Sequence, residues 1–233
     1  MYHIFNSLMQ INLLMKQIAL LVISLLLIAR THSQISSLKQ LKDISKNAEY
    51  YEALKNLVEK YGVIGTVEKR QDNNYLPDKP LTHRDFAIVM VKALDKVEEK
   101  FKRLSFKMPP NIRDSLFRLY IKKHYKSYSD SAVMKISGYA EYKDITNDDS
   151  DHIIIKKLTN FYRIRLGETE NTFAPDKPMT EQQLSQIFSQ YYGERSIVRR
   201  SSTAIAKRGK WAIYLDALLE RLYATITDLS SSL

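Results

Sequence analysis

The stretch Asn74–Thr82 reads NYLPDKPLT, and Thr172–Thr180, 98 positions further on, reads TFAPDKPMT. Each holds an aromatic residue, one variable residue, Pro-Asp-Lys-Pro, an apolar residue and Thr. The prolines fix φ, and the Asp-Lys pair between them makes a tight, exposed turn. Tyr75 and Phe173 are single aromatics before that turn, the pattern of core plugs. A helix start follows. Thr82 stands at the N-cap with Asp85 three residues on, and Leu81 before the cap faces Phe86 in the first turn. Thr180, Gln183, Met179 and Leu184 take the same places in the second copy. Each set reads as a capping box with a hydrophobic staple, and such a cap stabilises a helix by about 1 kcal/mol. The repeated string is therefore a corner that turns a loop into a helix.

Outward from the corners the order is also shared. Leu41-Lys42-Asp43-Ile44 opens the first copy and Tyr142-Lys143-Asp144-Ile145 the second. Helical spacing of Tyr50, Leu54, Leu57, Val58 and Tyr61 predicts a helix over 49–61. Ile154, Ile155, Leu158 and Tyr162 predict another over 151–162. Gly62 reads as the C-terminal cap of the first. From Asp43 to Thr82 is 39 positions and from Asp144 to Thr180 is 36, a three-residue loop change. Self-similarity of this kind marks a repeat architecture.

The flanks are less regular. The helix through Phe86 is expected to reach Lys107 and stop before Pro109-Pro110, and a further helix is predicted over 112–126. Residues 195–210 are basic and read as a mobile loop. The closing segment carries Trp211, Tyr214, Leu215, Leu218, Leu219, Leu222, Tyr223 and Ile226 on one helical stripe. That stripe either packs on the body or offers Trp211, Leu215, Leu218 and Leu222 to a protein partner or a second copy.

At the N-terminus, Lys16 precedes an apolar run from Ile18 to Ala29, then Arg30-Thr31-His32-Ser33. A basic start, a short apolar run and small residues at the end predict a secretory signal peptide over 1–33. The run is short for a membrane span, and an uncleaved anchor is the alternative. Met15-Lys16 reads as a second candidate start. Either way the rest of the chain is expected outside the cytoplasm. The chain has 233 residues, a formal charge of +10 and no cysteine. Disulfides, thiolate metal sites and a Cys nucleophile are excluded. The charge suits an anionic partner, or else the scattered Lys and Arg give a modest excess that keeps the protein soluble.

The Asp-Ile opening, the helix ending Leu-Val-Glu-Lys-Tyr-Gly-Val-Ile, the loop, the aromatic-x-Pro-Asp-Lys-Pro-apolar-Thr corner and the second helix together resemble the S-layer homology (SLH) module. The likeness covers 41–94 and 142–192. It implies modules in threes, packed as helix pairs around a pseudo-threefold axis, that anchor exported proteins to acidic cell-wall polysaccharide or peptidoglycan-linked polymer. In that family the helix start is commonly Thr-Arg-Ala-Glu, the Arg meeting the glycan and the Thr and Glu capping. This chain has Thr82-His83-Arg84-Asp85 and Thr180-Glu181-Gln182-Gln183. The Trp usual at the start of the first helix is replaced near Tyr50 and Asp151. Two modules are visible; a third has diverged, or the Trp211 helix takes its place.

Other chemistry is weakly signalled. His83-Arg84-Asp85 spells a kinase catalytic-loop triplet, but Met90 stands where Asn is needed and no Gly-rich loop or Asp-Phe-Gly occurs. Asp144, Thr146 and Asp148 begin like a calcium loop that lacks its Gly and closing Glu. No nucleophile elbow is present. The expectation is a mainly α fold, with helix-loop-helix SLH-like repeats packed as a helical bundle with extra helices. Its parts are a signal peptide (1–33), a first module (34–95), a helical insertion (96–140), a second module (141–194), and a basic loop with an amphipathic helix (195–233). The expected role is non-enzymatic, without cofactor or metal, at the cell envelope, in the periplasm or on the cell surface. Anionic wall polysaccharide is the expected partner and nucleic acid is not. Tyr75, Lys79, His83, Arg84 and Lys177 are the candidate glycan contacts, and Thr82, Asp85, Thr180 and Gln183 the caps. The alternative is a scaffold that kept the fold and lost the sugar.

Overall fold

The two opening aspartates explain why each repeat begins far from its corner. Asp43 accepts the backbone N–H of Tyr75 at 2.8 Å and of Leu76 at 2.6 Å. Asp144 accepts those of Phe173 at 2.9 Å and Ala174 at 2.6 Å. Leu76 and Ala174 are the variable residues of the corner, and both take left-handed backbone, φ 56° and 53°. That conformation is costly for a residue with a Cβ. The carboxylate holds the strained turn in place by both oxygens. The backbone alongside matches too, with Lys42 N–H donating to Asn73 and Lys143 N–H to Asn171.

These contacts come from a computed structural model that describes residues 35–63, 73–105, 142–146, 148, 151–162, 164–166, 171–192 and 202–231. Contacts divide the chain into Met1–Ile35 and Ser36–Leu233, and every element below lies in the second part. After a 3₁₀ turn, Leu38–Gln40, come α1 (Tyr51–Lys55) with a π-helical continuation (Asn56–Lys60), and α2 (His83–Ser105). The second repeat supplies α3 (His152–Lys156) with its own π continuation (Lys157–Phe161), and α4 (Glu181–Tyr192). The last is α5 (Arg208–Ser231). The fold is mainly α, as the periodicity predicts. Among the described residues no helix is long and apolar enough to cross a membrane. The signal-peptide reading and the helix predicted over 112–126 lie outside the described residues.

Each first helix differs from expectation in the same way. Both widen after five residues into a π turn, closed by Tyr61 N–H on Asn56 and Tyr162 N–H on Lys157. Val63 and Ile164 then donate back to Leu57 and Leu158. Gly62 ends the first at φ 64°, the left-handed cap its position predicts. Leu54, Leu57 and Tyr61 are buried, as are their counterparts Ile155, Leu158 and Tyr162.

The basic loop expected over 195–210 is corrected by what 202–210 form. Ser202–Lys207 is a third corner without a proline. Leu81 N–H donates to Ala206, Ala206 N–H to Met179, and Met179 N–H to Leu81, each at 2.8 Å. The three residues before the three helix starts thus close a ring around a pseudo-threefold axis. Their side chains are at most 1% exposed. First-turn N–H groups follow the same cycle. His83 and Arg84 donate to Lys177 and Pro175, Glu181 and Gln182 to Ala204 and Ser202, and Arg208 and Gly209 to Lys79 and Pro77. Each corner therefore caps its neighbour's helix and supplies partners for donors that a helix leaves open.

Below the ring lies the core. Trp211 sits 4.9 Å from Phe86 and stacks on Phe188 at 5.9 Å, ring centre to ring centre. Trp211, Leu215, Leu218 and Leu222 are each at most 1% exposed. The stripe offered to a partner is already spent inside the chain. In the complete repeats the first helix packs on the preceding second helix, α1 on α5 and α3 on α2. Nine residues separate Tyr192 from Ser202, fewer than the ten of α1 and its π continuation. Among the described residues no first helix precedes the third corner. The side of α4 that would receive it carries exposed Gln182 and Gln186.

Three substitutions test these contacts. Asp144→Ala should lower stability in chemical denaturation by about 1–2 kcal/mol, because two turn N–H groups lose a charged acceptor. Adding Ala174→Gly should restore part of that loss by relieving the left-handed strain. Ala206→Leu should cost about 1–3 kcal/mol by overpacking the axis; were 202–207 a loose loop, it would cost nothing.

Candidate functional site

The residues of the three helix starts divide by position. First helical residues point inward: His83 is 0% exposed, Glu181 6% and Arg208 4%. Second residues, Arg84, Gln182 and Gly209, lie along the seams between repeats. Of the third residues, Asp85, Gln183 and Lys210, two reach the first residue of the preceding helix in the cycle. Asp85 accepts Arg208 Nη2 at 2.6 Å and Nε at 3.1 Å. Lys210 Nζ donates to Glu181, whose other oxygen accepts Ser202 Oγ at 3.0 Å. The third pair in this cycle is His83 with Gln183, and it carries no opposite charges.

Tyr75 is a core plug. Its hydroxyl donates to Arg208 O at 3.0 Å, and Arg208 Nη1 donates back to Tyr75 O at 3.3 Å. Burial pushes the phenol pKa far up. His83 Nδ1 lies 2.8 Å from Phe173 O, which makes that nitrogen the protonated one, and its ring meets Phe173 edge-on. Burial holds the imidazole below its ordinary pKa. Neither side chain presents a surface to a polymer, so both act inside the seams as positioning groups.

The caps also divide. Thr180 and Gln183 form the full box: Thr180 N–H donates to Gln183 Oε1 at 2.8 Å and Gln183 N–H to Thr180 Oγ1 at 3.2 Å. At the first corner Asp85 N–H donates to Thr82 Oγ1 at 3.1 Å, but the Asp85 carboxylate turns to Arg208. A buried ion pair has taken the reciprocal half of the predicted box.

Two seams are flanked by a first helix, and they differ. Between α2 and α3, Arg84 Nη1 donates to the buried Asp151 at 2.8 Å, with Asp176 at 3.7 Å. Between α5 and α1, Gly209 takes the place of Arg84 and Tyr50 the place of Asp151. A Cβ on Gly209 would stand 2.7 Å from the Tyr50 ring, so the buried backbone packs directly against that ring. Asp78 and Lys207 pair across the same seam at 3.1 Å. The half-buried Tyr50 hydroxyl has its pKa raised by burial, then by Asp78 and Asp43. Lys79 is exposed on the first corner and Lys177 half-exposed on the second. Tyr50, Gly209, Lys207 and Asp151 are seam residues that sequence reasoning did not select. The Trp that the resemblance to SLH modules leads one to expect near Tyr50 was the signal for that residue.

Among the described residues no group of His, Asp and Glu is arranged to hold a metal ion. The calcium-loop candidate Asp144 spends its carboxylate on the corner backbone instead. Scans of the chain against protein-family models, curated proteins and solved structures find no match.

The Arg208–Asp85 pair has a testable asymmetry. Asp85→Ala should cost about 3–5 kcal/mol in equilibrium unfolding, because it leaves a guanidinium buried and uncompensated. The double variant Asp85→Leu with Arg208→Met should cost much less than either single change. Arg208→Lys should not substitute, since an ammonium cannot span Asp85 and Tyr75 O together.

Proposed function

We propose that the chain is an exported, non-enzymatic protein of the cell envelope that associates with anionic cell-wall polysaccharide through seams between SLH-like repeats. One observation carries this reading: three corners, two of them written aromatic-x-Pro-Asp-Lys-Pro, close in a cycle around one axis, the arrangement that the resemblance to SLH modules implies. The α5–α1 seam supports this reading best. There the half-exposed Tyr50 ring closes over the buried Gly209, and Lys207, paired with Asp78, and the nearby Lys79 are exposed cations. A sugar ring stacks on such an aromatic while its charged groups meet the lysines. Lys177 and the part-exposed Arg84 would serve the second seam.

A second reading is favoured by specific contacts. Arg84 is engaged by Asp151 and Asp176. His83, at the place of the family's glycan-contacting Arg, is buried, and Glu181 holds that place in the second repeat. These features suit a helical scaffold or protein-interaction module that has lost glycan binding.

Co-sedimentation with purified cell-wall sacculi separates the two. The glycan reading expects binding that weakens with salt. Lys79→Ala with Lys207→Ala, and separately Tyr50→Ala, should weaken it at least tenfold, about 1.4 kcal/mol. Arg84→Ala should be made together with Asp151→Asn, so that no buried carboxylate is left alone. Wild-type protein that stays in the supernatant at low salt would favour the scaffold.

A further inference from the structure

His83 is the odd member of the cycle of first and third helical residues. Arg208 meets Asp85 and Glu181 meets Lys210, so in two of the three seams the first helical residue is held by an ion pair. In the third, His83 is fully buried, one ring nitrogen is bonded to Phe173 O, and Nε2 has no hydrogen-bond partner. Gln183 stands where Asp85 and Lys210 stand in the other seams, and its side-chain oxygen is committed to the Thr180 cap. A second proton on this imidazole would go to Nε2, in a buried site with no carboxylate bonded to it.

We propose that His83 makes the joint between α2 and the second corner proton-sensitive: uptake of one proton loosens this seam while the two seams whose first helical residues, Arg208 and Glu181, are ion-paired hold. The surroundings agree from each side. The second corner carries Asp176, exposed and turned to Arg84, and Lys177, whose charge disfavours imidazolium. The second opening carries Lys143 and Asp144, the latter occupied by backbone N–H groups. The start of α3 carries Asp151, occupied by Arg84. On α2 itself, Asp85 is occupied by Arg208. The positive end of the α2 dipole adds to the penalty.

The sign of the linkage follows. A histidine whose folded pKa lies below its unfolded value of about 6.5 contributes fully above that pH. The contribution falls as pH drops through the window toward the folded pKa.

The test is amide hydrogen exchange on the full chain between pH 7.5 and pH 5, expressed as protection factors. Across the window the His83 and Arg84 amides, which donate to the second corner, should lose up to about tenfold in protection per pH unit. The Arg208 and Gly209 amides at the equivalent seam should keep theirs. Gln183→Glu retains the cap and supplies a carboxylate, so it should abolish the acid loss at His83 and Arg84. His83→Gln should flatten it as well. Equal acid loss at both seams, or an unchanged profile in Gln183→Glu, would overturn the proposal. If the variants do not fold, an NMR titration of the wild-type imidazole decides alone. Titration below 6.5 supports the joint, and titration at or above 6.5 removes it.

Discussion

The fold depends on three backbone hydrogen bonds that run head to tail: Leu81 to Ala206, Ala206 to Met179, Met179 to Leu81. All three residues are buried, so water cannot replace a missing partner and each bond is obligatory. A closed cycle has no spare member. Two corners alone would leave one N–H and one C=O facing the core without partners. The cycle also forces three helix N-termini toward one point, where their partial positive charges oppose one another. The neighbouring corners answer that by presenting carbonyls to the first-turn N–H groups of each helix. A corner in this chain is at once the turn that starts its own helix and the cap of another.

That double role decides what could be read from the sequence. The first two corners were legible because Pro-Asp-Lys-Pro fixes a turn locally and Thr marks the helix start. Buried Tyr75, Phe173, Leu81 and Met179 follow from the same local logic. The third corner was not legible, because Ser202–Lys207 takes its shape from bonds to its neighbours rather than from proline. One trace existed: Ala206 and Trp211 are spaced like Leu81 and Phe86. The role of Asp43 and Asp144 was hidden for a related reason. Their N–H partners lie 32 and 29 residues downstream at Tyr75 and Phe173. The π turns were invisible to periodicity, since a one-residue widening changes the register and leaves the apolar spacing nearly intact.

The side chains at the helix starts show the same limit more sharply. The resemblance to SLH modules put His83 at the place of an Arg and Arg84 one residue late. A step of one residue on a helix is about 100° of rotation, enough here to move a side chain from the axis to a seam. His83 consequently lies inside and Arg84 at the edge, and Arg208 lies inside with Asp85. Inward residues are coupled to the cycle and cannot change without altering how it closes. Second residues are not so bound, which is why the two lateral seams diverge, one to Arg84 with Asp151 and the other to Gly209 under Tyr50. A change at the second position can therefore alter what a seam recognises, whereas a change at the first alters whether the seam exists.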